Sequence, residues 1–362
     1  MKTRVVLVGG FLGAGKTTLL WEAAKRLTAM GKRVGLVTND QAPGLVDTKL
    51  LAYTNLDVAE VSGSCFCCNF NGFRDALLHL RNKKQADIIL AEPVGSCADL
   101  SATIMQPMKD QMEDMMDLGP LTVLIDPQKL QAVLEGQDSG LHPSAGYIIQ
   151  KQLEEADRIL ISKADLYGRE TIERLQTLAA HKWPTARVAP ISVQSKDRLD
   201  AWIEDALGSS DGGGRIAEVD YKVYAEGEAA LGWLNASFML KSELMDWEKF
   251  AGMLLQYLAR RFDYLQMTVG HVKILIKTDS GFITGSITGK ADTVLIRGST
   301  GRQKHAQMII NARVQAEPDR LKGIVMDEMN FYKGLVSYNI ESISCLRPGK
   351  PEPTYRFSRI VN

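Results

Sequence analysis

Eight residues near the amino terminus constrain the fold more than any other part of the chain. Gly10-Phe-Leu-Gly13-Ala14-Gly15-Lys16-Thr17 fits G-x-x-x-x-G-K-[ST] in full, and Thr18 follows it. The motif comes directly after a short apolar run at 4–8 and opens a helical pattern from Lys16 to about Met30. A strand that turns through glycines into a helix gathers backbone N–H groups and the positive end of the helix dipole at one point. That point suits a phosphate chain, so Gly10, Gly13, Ala14, Gly15, Lys16, Thr17 and Thr18 are assigned to it. Lys16 then supplies charge to the β and γ phosphates, and the Thr17 hydroxyl binds Mg²⁺.

The remaining pattern fits a sheet built around this loop. Short apolar runs recur at 32–38, 88–91, 122–125, 158–161 and 188–191, with helical stretches such as 73–81 and 147–155 between them. Buried strands alternating with helices predict an α/β fold, a doubly wound and mainly parallel sheet of the P-loop NTPase type. Ligands of such sheets bind beyond the carboxyl ends of the strands. Gly10–Thr17, Asn39–Asp40, Glu92, Asp126 and Ser162–Asp165 all fall there.

The rhythm changes after Leu207. The Gly-rich stretch at 208–215 reads as a flexible linker, and the patterns beyond it suit a smaller α+β domain with an antiparallel sheet. Strands are expected at 231–240, 271–278, 282–288, 293–297 and 307–314, with helices at 247–262 and 321–331. The predicted division is a nucleotide-binding domain at 1–207, a linker at 208–218, an α+β domain at 219–340 and a tail at 341–362. A chain of 362 residues, 45% hydrophobic, is long enough for two cores. Equal numbers of basic and acidic residues, 43 each, argue against a polybasic nucleic-acid binder. No apolar run reaches the ~18 residues of a membrane span, so no membrane partner is expected.

The base and the metal are read at other strand ends. Ser162-Lys163-Ala164-Asp165 follows the run at 158–161 and is close to the N-K-x-D motif that reads guanine. In that motif the Asp carboxylate accepts from guanine N1–H and the N2 amino group, a donor pair adenine lacks, while the Lys stem packs over the base. Ser162 stands where Asn is usual, which removes an amide contact. Glu92, ahead of Pro93-Val94-Gly95, can hold Mg²⁺ or position the attacking water, with Gly95 close to the γ-phosphate. Asp40 is a second candidate near that metal, and Asp47 a weaker third. Each carboxylate alone also reads as an ordinary cap; the set around one phosphate site is what points to catalysis.

With GGFLGAGKTT, the CxCC at 65–68, AEPVGS around Glu92, and QLEEADRILISKADL, the chain resembles the CobW-like P-loop GTPases over about residues 4–207. The region 220–335 is loosely similar to that family's C-terminal module. The resemblance implies slow GTP hydrolysis coupled to metal delivery, with switch loops that differ between GTP and GDP states. It also implies a client metalloprotein or cobalamin-dependent enzyme as partner. With no catalytic Gln or arginine finger assignable, acceleration of hydrolysis is expected from a partner or from a nucleotide-dependent homodimer. The chain departs from the family in placing Ser64 between Gly63 and Cys65, and in having five scattered histidines rather than a His-rich stretch.

Five cysteines are too few, and an odd number, for a disulfide framework; the crowding of Cys65, Cys67 and Cys68 suggests thiolate chemistry in a reducing cytoplasm. Thiolates suit Zn²⁺, with Co²⁺ a second choice. Three within four residues are expected to crowd one ion, leaving two of them plus a carboxylate or water. Cys97, five residues after Glu92, is a further candidate ligand that would tie the metal to the nucleotide-sensing loop. The competing readings are small buried residues or a redox dithiol. Met105, Met108, Met112, Met115 and Met116 read as the apolar face of a helix. The expected function is a GTP-hydrolysing metallochaperone using GTP, Mg²⁺ and Zn²⁺ or Co²⁺. The alternative is a GTPase chaperone of a corrinoid enzyme with incidental metal binding.

Overall fold

The protein is described by a computed structural model. It describes residues 2–40, 46, 56–136, 143–288 and 294–361. The chain divides into two compact units: residues 1–41, 51–227 and 350–362 form the first, and residues 42–50 and 228–349 the second.

The first unit is built on eight strands: β1 (Thr3–Gly10), β2 (Val34–Asp40), β3 (Asp57–Ser62), β4 (Ile88–Glu92), β5 (Met116–Leu118), β6 (Thr122–Ile125), β7 (Arg158–Ile161) and β8 (Arg187–Pro190). Their order is β3-β2-β4-β1-β6-β7-β8, with β5 also pairing β1. Every pairing is parallel, as the alternation of strand and helix predicts. The central strands β1, β4 and β6 are buried along their whole length, which is why they read as unbroken apolar runs. The helix Lys16–Ala29 turns Leu19, Leu20, Ala23, Ala24 and Leu27 onto them, at helical spacing.

The Gly-rich residues at 208–218 are not a free linker. Asp157 accepts hydrogen bonds from the N–H groups of Leu121 (2.7 Å), Gly213 (2.7 Å) and Gly214 (3.1 Å). Arg158, nearly buried, pairs with Asp205 at 2.5 Å and with Asp211 at 3.0 Å. The glycines let the backbone lie against the end of the sheet, and the units divide at 227/228 instead of at 207. The methionine stripe is indeed an apolar face. Met105, Met108 and Met112 are buried on a π-turn at Ser101–Met105 and the helix Gln106–Met112, while Met116 has already entered β5.

The second unit is a six-stranded antiparallel sheet: β9 (Gly232–Asp246), β10 (Val269–Thr278), β11 (Gly281–Ile287), β12 (Leu295–Ser299), β13 (Arg302–Val314) and β14 (Ser337–Leu346), in the order β12-β11-β10-β13-β9-β14. Alternate residues, such as Leu234, Ala236 and Phe238 of β9 and Met308, Ile310 and Ala312 of β13, face the helices Trp247–Tyr264 and Pro318–Phe331. The other face carries Asn235, Asn311 and Arg313, the last stacked on Trp233 at 4.4 Å. The main-chain N–H of Val46 donates to Asn311 Oδ1 at 2.7 Å. The expected tail at 341–362 cuts through β14, a half-exposed, polar strand without a clean alternation. Its pairing with β9 runs on to Leu346, and residues 350–362 return to the first unit.

Candidate functional site

The phosphate loop has the geometry its glycines require. Gly10, at φ +126°, leaves β1 so close to β6 that a Cβ there would lie 2.3 Å from the Leu124 carbonyl oxygen. Gly15 takes the N-cap position of the helix Lys16–Ala29 and offers no side-chain cap. The first-turn amides are therefore not claimed by a capping side chain, which is the arrangement an anion uses. Ala14 is buried, and Gly13 and Thr18 lie on either side of the turn, half-buried. Lys16 is buried, and its Nζ donates to Gly10 O at 2.8 Å.

Glu92, at the carboxyl end of β4, meets this loop directly. Its Oε1 accepts from the Thr17 hydroxyl at 3.1 Å and lies 3.8 Å from Lys16 Nζ. A carboxylate and a hydroxyl held together next to a buried ammonium form a donor set suited to a hard divalent cation. Gly95 follows in close approach to the loop: a Cβ on it would sit 2.7 Å from Leu12 Cδ2 and 3.1 Å from Lys16 Nζ. Gln152 pins this segment by donating to the carbonyls of Gly95 (3.1 Å) and Cys97 (2.7 Å). Asp40 ends β2 opposite Ser62, but its side chain, like the whole of Asp47, lies outside the described residues.

At the base-reading end, the three residues behave differently. Ser162 is buried and its hydroxyl donates to Ile125 O at 3.2 Å, so the side chain serves the sheet edge. Lys163 takes φ +53° and its Nζ pairs with Asp126 Oδ2 at 2.8 Å. Asp126 also caps the helix Pro127–Glu135 through the Gln128 N–H. Burial works to raise its carboxyl, but Lys163, Lys129 and that N–H outweigh it and hold it below the usual range. Asp165 stands exposed in the short turn Ala164–Leu166 at the end of β7.

The cysteines form a cluster in the turn after β3. Cys68 N–H and Asn69 N–H both donate to Cys65 O, at 3.1 and 2.9 Å, which folds the turn back on itself. The Sγ atoms of Cys65, Cys67 and Cys68 consequently lie within 4.8 Å of one another. The expected crowding is visible in the 2.7 Å between Cys65 and Cys67, but it does not exclude the third thiol, which stands 3.9 Å from Cys67. Cys97 is buried and is one of the thiols that perturb Cys65 and Cys67, but it stands outside the cluster of three. The neighbouring thiols stabilise the thiolate of Cys65, pulling it well below the ordinary cysteine range. Their proton is held at Cys67, pushed up, and at Cys68, raised to about 11 mainly by Cys65.

Several residues position these groups through partners that the sequence does not reveal. Asn39, at the end of β2, donates from Nδ2 to Val61 O and Ser64 O, both at 2.8 Å, and accepts from Phe66 N–H at 2.8 Å. It stitches the cysteine turn to the sheet. Asp99, fully buried at φ +64°, accepts from Tyr221 Oη at 2.8 Å and pairs with Arg356 at 2.6 Å. Glu155 receives the Ser101 N–H at 2.8 Å and so caps the π-turn. Burial raises its carboxyl to about 8. Asn39 is legible as a strand-end polar residue; Glu155 lies inside a helical pattern and carries no sequence signal.

The sequence matches the CobW/HypB/UreG nucleotide-binding domain over residues 4–190. It is 25% identical over 218 residues to zinc-regulated GTPase metalloprotein activator 1 of Dictyostelium discoideum, covering 52% of this chain and 45% of that one. It is 29% identical over 187 residues to the zinc chaperone CobW of a Sinorhizobium species (46% and 52%), and 29% over 177 residues to the zinc chaperone YjiA of Escherichia coli (45% and 50%). The chain thus spans about half the length of these relatives. Among solved structures, HypB from Archaeoglobus fulgidus is similar at 17% identity and a TM-score of 0.41, over 56% of this chain and 87% of that one. Zn(II)-bound YjiA from E. coli is similar at 15% identity and 0.37, over 90% and 99%. Among the described residues no helix is long and apolar enough to cross a membrane. With the phosphate loop in place and half the sequence matched, the chain belongs to the CobW/HypB/UreG family.

Proposed function

We propose that the protein is a GTP-hydrolysing metallochaperone whose nucleotide state governs a Zn²⁺ or Co²⁺ ion held for a client protein. The observation that carries this reading is the short segment Glu92–Cys97. One end touches Thr17 and approaches Lys16 in the phosphate loop, and the other end carries the buried Cys97 thiol, whose influence extends to Cys65 and Cys67. A displacement of this segment by the γ-phosphate is felt at the sulfurs.

Lys16 and the loop amides hold the β and γ phosphates, and Asp165 accepts from the guanine edge with Lys163 beside it. Thr17 and Glu92, with Asp40 as a further candidate, fit Mg²⁺, which when bound neutralises charge between the β and γ oxygens. A water oxygen attacks the γ-phosphorus as the bond to the bridging β–γ oxygen breaks, giving GDP and phosphate; Lys16 offsets the charge that develops on that oxygen. No glutamine or arginine of the chain is assigned to the attacking water, so turnover alone is slow. The metal cargo sits on Cys65, Cys67 and Cys68, with Cys97 as the candidate fourth ligand. A tetrahedral thiolate zinc site, with Zn–S of about 2.3 Å, sets sulfurs roughly 3.8 Å apart. Cys67 and Cys68 meet that separation, and Cys65 needs to move by about 1 Å.

The test compares phosphate release from Mg·GTP and Mg·ATP, and Zn²⁺ affinity with a non-hydrolysable GTP analogue and with GDP. Faster release from GTP and unequal affinities are expected. No preference for GTP, or equal affinities in the two nucleotide states, overturns the coupling.

A further inference from the structure

Residues 347–361 run without helix or strand, yet they are fastened along their length. Glu352 N–H donates to Cys68 Sγ at 3.2 Å. Thr354 N–H donates to Cys67 O at 2.8 Å, and the Thr354 hydroxyl donates to Cys68 O at 3.0 Å. Tyr355 stands edge-on to Phe70, the first residue of the helix after the cysteine turn, with ring centres 5.4 Å apart. Beyond it the attachments change segment. Arg356 pairs with Asp99, Phe357 N–H donates to Ala102 O at 3.0 Å, and Val361 N–H donates to Gln106 Oε1 at 2.8 Å.

Residues 352–361 therefore join the cysteine turn to the stretch that begins at Glu92 and continues through Cys97 into the π-turn. Two features make this more than an ordinary chain end. An N–H aimed at the Cys68 sulfur fixes the direction of that side chain, as outer hydrogen bonds do for metal ligands. Arg356 is the only cation paired to Asp99, among the described residues, and a buried carboxylate is costly without its counter-charge. The carboxylate also holds an oxygen, Oδ1, for which the described residues supply no hydrogen bond. Without Arg356 the buried Asp99 carboxylate would lose its counter-charge, and Asp99 lies on the stretch that continues from Glu92, which touches the phosphate loop.

We propose that residues 350–361 are a strap completing the thiolate site, with Arg356 as its positioning residue. Seated, the strap supplies the N–H to Cys68 and screens Cys67. Released from Asp99, it uncovers both sulfurs for transfer of the ion. This deepens the metallochaperone reading and rests on it for the identity of the cargo.

The experiment follows cysteine reactivity in the metal-free full chain by maleimide labelling, read peptide by peptide. The variants are Arg356→Ala, Arg356→Lys, and a chain ending at Gly349. The Ala variant and the shortened chain should label Cys67 and Cys68 at least fivefold faster than the wild type. The Lys variant, which keeps the charge, should stay within twofold of it. Cys345, in the other unit, should react at its wild-type rate in all three. Wild-type rates at Cys67 and Cys68 in both the Ala variant and the shortened chain overturn the proposal. So does an acceleration that includes Cys345, since that reports general unfolding. The measurement needs neither zinc nor nucleotide. A wild type that binds no zinc would sink the metallochaperone reading and leave the strap standing.

Discussion

Asp165 illustrates how much a single side chain carries. It is exposed on a short turn and has no structural duty visible in its hydrogen bonds, while the lysine two residues before it is anchored by Asp126. Asp165→Ala should therefore leave the melting temperature unchanged and lower the preference for GTP over ATP by roughly 10- to 100-fold, the range for hydrogen bonds to a charged group. Competition binding with the two nucleotides checks this; an unchanged ratio would move the base-reading role elsewhere. Residues of this kind are legible in the sequence because phosphate and base chemistry demand particular side chains at short, fixed spacings. Lys16, Thr17 and Glu92 come together as that logic predicts. Ser162 shows its limit. It occupies a motif position, but its hydroxyl is turned to the Ile125 carbonyl, a partner on the neighbouring strand. The roles of Asn39, Asp99 and Arg356 are not legible for the same reason, because each is defined by a partner that only the folded topology brings near.

Among the elements, the segment following β4 has the most exacting position. It is squeezed between the phosphate loop, where Gly95 leaves no room for a methyl group beside Leu12 and Lys16, and Gln152, which holds two of its carbonyls. Gly95→Ala should keep the fold, since the residue is not in the left-handed region, but push Lys16 out of place. Misplacement of a catalytic group by about 1 Å costs up to a hundredfold in rate, so GTP turnover should fall roughly ten- to a hundredfold with an unaltered melting curve. Normal turnover in this variant would mean the segment can yield. The main strands and helices are readable from periodicity. β3, β5 and β14 are not, because short or half-exposed strands lack both an unbroken apolar run and a clean alternation. The glycines at 208–218 mislead for a different reason: flexible composition and close backbone approach call for the same residue.

For the molecule as a whole, pH acts through the buried Glu155. Burial raises its carboxyl from 4.5 to about 8, so the folded protein keeps a proton there that the unfolded chain releases above about pH 4.5. The sign follows. Stability is highest below that value, is lost as pH rises towards 8, and is flat beyond. Glu155→Gln abolishes this slope while retaining an acceptor for the Ser101 N–H. Urea unfolding should find the variant gaining on the wild type between pH 5 and pH 8.5, by a few kcal/mol, each tenfold difference in proton affinity between folded and unfolded chains being worth about 1.4 kcal/mol. Parallel pH dependences in the two proteins would show that the carboxylate is charged in the fold.

The return of residues 350–362 to the first unit also bears on how the wall beside the cysteines is built. Its hydrogen bonds to Cys68 link residues 284 and 286 positions apart. Closing so long a loop costs entropy that local contacts do not, so this wall forms late in folding, after the sheet around β1 is in place.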